Sequence, residues 1–253
     1  MNGLWLALGF LTVLPVRTPP PQPGGPAADL GLTLGRAGAW FPVVGLGLGA
    51  LLAAAHFLLA HLFPAPLTAA LVVTLWAALT GGLHLDGLAD CCDGLLASVS
   101  PERRLEIMRD PRLGAFGGAG LTLFLILKVL AVASLTAALS FWAFIFSAAL
   151  ARWLILLVAL QPAARPGGLG ADFARGITPS ILARAALTPL ILVALGGWRA
   201  LMAAVVAGLV SVAIIGLARA RLGGVTGDVF GLTVELTELA ALLVFAARFP
   251  PTL

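Results

Sequence analysis

The chain has 253 residues and a formal net charge of +4, and 60% of its residues are hydrophobic while only 10% are charged. A soluble domain carries about 25% charged residues, so this composition excludes an ordinary water-soluble fold. The arginines are scattered between apolar blocks rather than gathered in a basic tail or an aromatic-rich motif. That distribution argues against a nucleic-acid partner and predicts a protein whose main surroundings are the lipid bilayer.

The first apolar run, residues 3–16, is too short to cross a hydrocarbon core that needs roughly 20 helical residues. Prolines crowd its end and the residues beyond it, at Pro15, Pro19, Pro20, Pro21, Pro23 and Pro26. Such a density excludes helix. We expect a surface or re-entrant segment followed by a linker.

Longer apolar blocks fill the rest of the chain. They run at about 36–62, 65–84, 113–139, 140–161, 181–197, 198–217 and 233–249. Each is long enough, or nearly so, to cross a bilayer as a helix. The sequence therefore predicts an all-α, polytopic membrane bundle of about 6–7 transmembrane helices plus the short N-terminal apolar segment, forming a single domain over residues 1–253.

Three polar loops, at about 85–112, 162–180 and 218–232, are separated by even numbers of predicted spans, so all three should face one side. Eleven arginines then share that side, and only Arg199 and Arg248 lie opposite. The excess predicts that this side is cytoplasmic and that the protein lies in the cytoplasmic membrane. The carboxylates also fall on this side by the same alternation, which favours one-sided chemistry over a channel or transporter.

The densest polar cluster is residues 81–94, where Asp86, Asp90 and Asp93 stand at i, i+4 and i+7. On a helix these offsets share one face. Three carboxylates there repel one another unless cations neutralise them, and all-oxygen ligands suit Mg²⁺, which usually takes substrate phosphates as further ligands. The alternative is a solvated loop whose aspartates cap helices. His84 lies off the aspartate face and is predicted to be a hydrogen-bonded packing residue.

The segment 100–117 begins with Ser100 as a plausible N-cap and Pro101 at the first helical position, which predicts a short interfacial helix. Arg103 and Arg104 suit membrane anchors. Further along, basic side chains flank a carboxylate and lead into a glycine-rich turn whose amide groups could hold phosphate. The residues concerned are Arg109, Asp110, Arg112, Gly114 and Gly117.

A third cluster, residues 223–231, places Asp228 among glycines at a membrane boundary, next to Thr226 and Gly227. Glu235 and Glu238 follow inside the last apolar block, where carboxylates are costly unless paired or functional. Pairing with the two basic residues inside spans, Lys128 and Arg152, and an active-site role both remain open for them.

Cys91 and Cys92 are adjacent, which suits neither a mutual disulfide nor a zinc pattern. They are predicted to be reduced thiols without chemistry.

Taken in order, four motifs make the chain similar to the cobalamin synthase family, adenosylcobinamide-GDP ribazoletransferase. They are residues 10–15, the aspartate motif at 84–94, residues 108–117 and residues 223–228. The resemblance covers most of the chain. It departs at Cys91 and Cys92, where the family more often has other small residues.

The resemblance implies a Mg²⁺-dependent phosphoryl transfer that joins adenosylcobinamide-GDP to α-ribazole or its 5′-phosphate and releases GMP. A ribose hydroxyl would attack the phosphorus on the cobinamide side of the pyrophosphate. The principal metal ligands would be Asp86, Asp90 and Asp93, with Asp228 as a further ligand or a hydroxyl-orienting base. Substrate contacts would come from Arg109, Asp110, Arg112, Gly114, Gly117, Thr226 and Gly227. Which carboxylate takes the proton stays open, as do the oligomeric state and the preferred acceptor.

Two other functions compete with this interpretation. A CDP-alcohol phosphotransferase-like lipid enzyme also binds metal with clustered aspartates, but its usual Ala-Arg pair is replaced here by Ala89-Asp90. A cation transporter would also need intramembrane charges, which Lys128, Arg152, Glu235 and Glu238 supply. The absence of carboxylates on the far side weighs against transport.

Overall fold

The computed structural model describes residues 3–16, 28–165 and 169–249. Over these residues the chain forms eleven α-helices and a 3₁₀ turn at Gly38–Trp40, and its only strand-like pairing is one bridge between Ala163 and Val225. The helices are α1 (Gly3–Leu11), α2 (Ala28–Ala37), α3 (Phe41–Ala60), α4 (Ala65–Leu79), α5 (Leu83–Leu96), α6 (Pro101–Ile107), α7 (Ala115–Ala133), α8 (Ala137–Ala159), α9 (Leu169–Gly176), α10 (Pro179–Leu222) and α11 (Gly227–Ala246). The all-α prediction is confirmed.

The centre of the bundle is α8, which is buried along most of its length. It runs antiparallel to α3, and two glycines of α3 bring the two backbones together. A Cβ on Gly45 would collide with the backbone of Ala148, and one on Gly49 would collide with the backbone of Ile145. Small residues at such contacts let helices pack closely in a membrane, where apolar burial against lipid gives little association energy.

Helix α10 reverses direction in its middle. Gly197 has φ +66° and ψ −157°, a backbone conformation that residues with a Cβ avoid. Ile181 lies near Leu156 at the end of α8, Gly196 lies near Trp142 at the start of α8, and Gly224 packs on Pro162 just past the end of α8. The chain therefore runs from one end of the bundle to the other and back, as the adjacent blocks 181–197 and 198–217 predicted.

Five stretches are long and apolar enough to cross a membrane: Leu30–Ala60, Ala115–Ala133, Ala137–Ala159, Pro179–Leu222 and Gly227–Ala246. The pair α4 and α5 adds a sixth if it is a single broken span. Because α10 folds back on itself, it supplies two passes. The expected 6–7 spans agree with this arrangement.

The predicted span 65–84 is interrupted by a sharp bend. Gly81 and Gly82 both have positive φ, and α5 leaves α4 at 93°. The bend places the aspartates on a separate helix that packs against α11 and α7. Arg104, predicted as a membrane anchor, is buried and donates hydrogen bonds to the carbonyls of Gly94 and Leu95, at 2.9 and 2.7 Å, closing the end of α5.

The N-terminal apolar segment, expected as a surface or re-entrant segment, forms a short helix that is partly buried. Leu6, Ala7 and Leu11 of α1 are buried against a small cluster of apolar side chains from α2, α3 and α8. The linker predicted from the proline-rich residues lies mostly outside the described residues.

Candidate active site

The three polar segments meet at one end of the bundle. A cavity of about 570 Å³ opens there between the α6–α7 connection, the end of α8, α9 and the start of α11. Its charged and polar lining comes from residues far apart in sequence: Arg109, Gln161, Arg165, Thr226 and Asp228. The expectation that these loops share one side is met by the fold.

Asp228 is held in the first turn of α11. Gly223 ends α10 with φ +76°, and the following residues pair with the backbone beyond α8, Val225 N–H to the Pro162 carbonyl and Ala164 N–H to the Val225 carbonyl, both at 2.9 Å. Thr226 then caps α11, and its hydroxyl donates to Asp228 Oδ2 at 3.1 Å. A carboxylate in this position is also favoured by the positive end of the helix dipole.

The aspartates of α5 approach Asp228 because two glycines let the helices touch. A Cβ on Gly87 would meet the backbone of Asp228, and one on Gly231 would meet the backbone of α5 at His84. Asp86, Asp228 and Asp93 all lie close enough to Asp90 to repel its charge. Within the described part of the chain, no ion pair neutralises Asp86, Asp90 or Asp228.

Asp93 occupies a different position from its neighbours. Its Oδ2 accepts the Gly114 N–H and its Oδ1 accepts the Gly117 N–H, each at 2.8 Å, so it closes the N-terminus of α7. A side chain on Gly117 would overlap the same carboxylate. The amide groups that the sequence suggested for phosphate therefore donate to Asp93 instead.

Arg109 and Arg112, which the sequence grouped together, separate in the structure. Arg109 lines the large cavity, whereas the Arg112 side chain is 86% exposed. Its Nε donates a hydrogen bond to Asp110 Oδ1 at 2.8 Å, and its Nη2 donates one to Asp110 Oδ2 at 2.6 Å. That guanidinium holds the pKa of Asp110 at about 2. Neither Asp110 nor Arg112 lines the cavity, and their contact with substrate stays a prediction.

In the structure, Arg165 rather than Arg112 lies with Arg109 at the large cavity. It lines the cavity, acts electrostatically on Asp228 together with Arg109, and donates to the Leu105 carbonyl at 2.6 Å. Its Nε is buried without a partner among the described residues. Sequence reasoning counted Arg165 only toward topology, because a single arginine in a loop has no spacing that distinguishes it.

A second, smaller cavity of about 210 Å³ adjoins the first and shares Gly170, Gly227, Asp228 and Phe230 with it. Its other walls are mostly apolar or aromatic: Phe10, Leu34, Leu83, His84, Asp86, Gly87, Ile155, Phe173 and Gly231. These residues come from separate segments whose apolar character predicts only packing. No local pattern in the sequence indicates this cavity.

The buried charges inside the spans form a network of ion pairs, although Nε and Nη2 of Arg152 have no partner among the described residues. Lys128 Nζ donates to Glu235 Oε2 at 2.6 Å and to Glu238 Oε2 at 2.8 Å, and Arg152 pairs with Glu238. All four residues are buried. Of the two roles left open for Glu235 and Glu238, the structure shows the pairing.

A metal fits the donor chemistry of the site. Over the described residues, no group of three or more His, Cys, Asp or Glu side chains is arranged to hold an ion by itself. Mg²⁺, however, is commonly bound by one or two carboxylates plus substrate phosphates. Asp86, Asp90 and Asp228 are neighbouring oxygen donors without a described ion pair, and they match that requirement.

These features define a class: a polytopic helical membrane protein with a cavity at one end, where a cluster of aspartates lies beside two arginines. The sequence profile of the cobalamin-5-phosphate synthase family matches residues 3–246. The chain belongs to this family.

Curated relatives agree over nearly the whole length. An adenosylcobinamide-GDP ribazoletransferase of Ectopseudomonas mendocina (strain ymp) is 41% identical over 95% of this chain and 97% of its own. Enzymes of the same name from Desulfitobacterium hafniense (strain Y51) and Stutzerimonas stutzeri (strain A1501) are 37% and 40% identical, covering 99% and 98% of this chain and 99% of their own lengths. No solved structure matches the chain significantly.

Proposed function

We propose that this chain is an adenosylcobinamide-GDP ribazoletransferase, which joins adenosylcobinamide-GDP to α-ribazole or its 5′-phosphate and releases GMP. The observation that carries the proposal is the meeting of Asp86, Asp90 and Asp228 with Arg109 and Arg165 at one end of the bundle. Such a site suits a pyrophosphate, and the family match extends over 3–246.

In this proposal the two arginines bind the pyrophosphate. Guanidinium groups match the geometry of phosphate oxygens, and the unpartnered Nε of Arg165 leaves a donor for them. Mg²⁺ held by Asp86, Asp90 and Asp228 would supply further charge neutralisation on the phosphate oxygens. That Asp93 is also a metal ligand stays a prediction, because both of its carboxylate oxygens accept hydrogen bonds that join α5 to α7.

The reaction forms a bond between a ribose hydroxyl oxygen of the acceptor and the phosphorus on the cobinamide side. The bond from that phosphorus to the oxygen bridging to GMP breaks, and the hydroxyl proton passes to a base. Asp228 is our candidate for orienting the hydroxyl because it borders both cavities. Asp110 is a poor candidate, since its low pKa makes it a weak base and it lies outside the cavity.

The site is proposed to face the cytoplasm, in the cytoplasmic membrane. The arginine excess at the same end as the cavity supports this orientation. Arg199, predicted on the opposite side, donates to the carbonyls of Phe245 and Ala247 at the far end of α11, which is consistent with it. A nucleotide-activated substrate and released GMP are cytoplasmic compounds.

The test is a transfer assay with the purified protein in detergent, adenosylcobinamide-GDP and α-ribazole, in which GMP and the cobalamin product are quantified together. We expect both to appear in equal amounts, to stop with a chelator and to return with added Mg²⁺. GMP release without a cobalamin product would contradict the transferase assignment. Full activity in the presence of excess chelator would contradict the proposed requirement for Mg²⁺.

A further inference from the structure

We propose that the smaller cavity binds the aromatic base of the acceptor nucleoside, and that His84 selects this base through a hydrogen bond to its ring nitrogen. The inference rests on the proposed function, which supplies a nucleoside acceptor. Beyond that function, the inference identifies the cavity that binds the base and the side chain that recognises it.

The walls of the cavity suit a flat, mostly apolar ring. Phe10, Phe173 and Phe230 line it together with Leu34 and Ile155. The rings of Phe173 and Phe230 are 5.9 Å apart at their centroids, and Phe173 stacks on Phe41 at 5.6 Å, which fixes its orientation. Aromatic rings held in this way offer faces and edges to a planar ligand at little cost in side-chain entropy.

His84 supplies a polar group that the protein itself leaves unused. The side chain lines the cavity and is only 4% exposed, and its Nδ1 is buried with no hydrogen-bond partner among the described residues. Buried polar atoms are nearly always paired. The sequence predicted a hydrogen-bonded packing histidine, and the missing partner is the departure that points to a ligand.

The chemistry of α-ribazole matches this single polar group. Its base is a dimethylbenzimidazole, which after attachment to the sugar keeps one ring nitrogen as an acceptor and is otherwise apolar. The imidazole of His84 can donate a ring N–H to such an acceptor. A base with a richer hydrogen-bonding edge would leave buried groups unpaired in an apolar cavity, which lowers affinity strongly.

The guanine of the activated corrinoid is the competing occupant, because Asp86 also lines this cavity and a carboxylate can accept hydrogen bonds from guanine. The position of the cavity favours the acceptor. It shares Gly227, Asp228 and Phe230 with the larger cavity. A nucleoside with its base among the phenylalanines would therefore bring its ribose to Asp228, beside the proposed pyrophosphate site.

The test separates the two substrates by their KM values. His84→Phe keeps an aromatic ring and removes the hydrogen bond, so we expect the KM for α-ribazole to rise about tenfold, the loss expected for one neutral hydrogen bond. The KM for adenosylcobinamide-GDP should stay within about twofold of wild type. His84→Asn places an amide N–H near the Nδ1 position and should recover part of the loss.

Two further variants keep the test decisive if His84→Phe folds poorly. Phe173→Leu removes a ring from the wall at similar volume and should also raise the KM for α-ribazole selectively. His56→Phe is the matched control, since His56 of α3 packs against Phe144 of α8 and does not line the cavity. It should leave both KM values unchanged.

The outcomes are distinct from those of the proposed function. If the wild-type protein makes no cobalamin product, the proposed function fails. If wild type is active but His84→Phe and Phe173→Leu leave the KM for α-ribazole unchanged, the base site is wrong. A selective rise in the KM for adenosylcobinamide-GDP would assign the cavity to guanine and would equally overturn the inference.

Discussion

The molecule contains two groups of clustered charges that differ in how they are neutralised. Inside the spans, Lys128 and Arg152 pair with Glu235 and Glu238, two positive charges against two negative ones. At the end of the bundle, no described side chain forms an ion pair with Asp86, Asp90 or Asp228. Carboxylates are thus ion-paired in the first group and form no described ion pair in the second.

Burial explains why the inner group must be closed. A charge removed from water without a partner is strongly destabilising, and a broken buried pair costs about 3–5 kcal/mol. Lys128 also lies 4.2 Å from the centroid of the Trp76 ring, which adds a favourable contact. The group at the end of the bundle borders two cavities, and in the proposed function Mg²⁺ would supply its counter-charge. The inner ion pairs join α7, α8 and α11.

The largest expected effect comes from removing one unpaired carboxylate. Asp90→Asn keeps the shape of the side chain but removes its charge, and a metal contact to the transferring phosphoryl group contributes several kcal/mol, so the transfer rate should fall at least about a hundredfold. Transfer assays at saturating Mg²⁺ would measure it. Glu106→Gln is the matched control, because Glu106 is an exposed carboxylate paired with Arg103 on α6.

Near-normal turnover of Asp90→Asn would remove Asp90 from the ligand set. An equal loss in Glu106→Gln would mean that the assay reports general charge near the membrane rather than a site.

The inner network should respond in stability rather than in chemistry. Glu235→Gln leaves two cations against one carboxylate, and it should destabilise the protein by about 3–5 kcal/mol, the usual effect of breaking a buried pair. Adding Lys128→Met restores neutrality around the remaining Arg152–Glu238 pair. Thermal unfolding in detergent should therefore show the double variant to be more stable than Glu235→Gln alone.

The opposite outcome would contradict the distinction between a structural and a catalytic group of charges. A Glu235→Gln protein that unfolds like wild type but transfers no ribazole would make the inner network part of the catalytic machinery.

The sequence could predict the features that depend on spacing and composition. The offsets of Asp86, Asp90 and Asp93 predicted one helical face, and adjacent apolar blocks predicted the reversal that Gly197 makes. Contacts between distant segments could not be predicted in this way. Arg165 and His84 line the two cavities because α8, α9 and α11 pack together there. In the sequence, no local pattern distinguishes Arg165 from a membrane anchor or His84 from a packing residue.

The same limit applies to Arg112, which lies outside the cavity that Arg109 lines. Arg109 and Arg112 are three residues apart and flank Asp110, so local pattern treats them alike. A loop, however, can turn one side chain into a cavity and leave the next in solvent. Only the contacts tell them apart.

A smaller effect is expected from the two arginines, and it should differ between them. Arg109→Ala removes a charged phosphate contact from the large cavity, so the KM for adenosylcobinamide-GDP should rise at least about tenfold. Arg112→Ala removes only the exposed pair with Asp110 and should change this KM less than about twofold. If both variants lose affinity equally, the α6–α7 connection must rearrange when substrate binds.

The smallest effect is expected at the two cysteines, which lie on the same helix as the aspartates. Cys91 is buried and Cys92 is half-buried against Gly120 of α7, and both are free thiols. They lie close to the clustered carboxylates, but phosphoryl transfer to a hydroxyl requires no thiol. Cys91→Ala with Cys92→Ala removes two sulfur atoms from helix contacts, so it should lower stability by about 1–2 kcal/mol. The kcat should stay within about twofold of wild type. Transfer assays and thermal unfolding of the same preparation would measure both quantities. A double variant that is folded, inserted and inactive would show that helix α5 contributes more than carboxylates to the site.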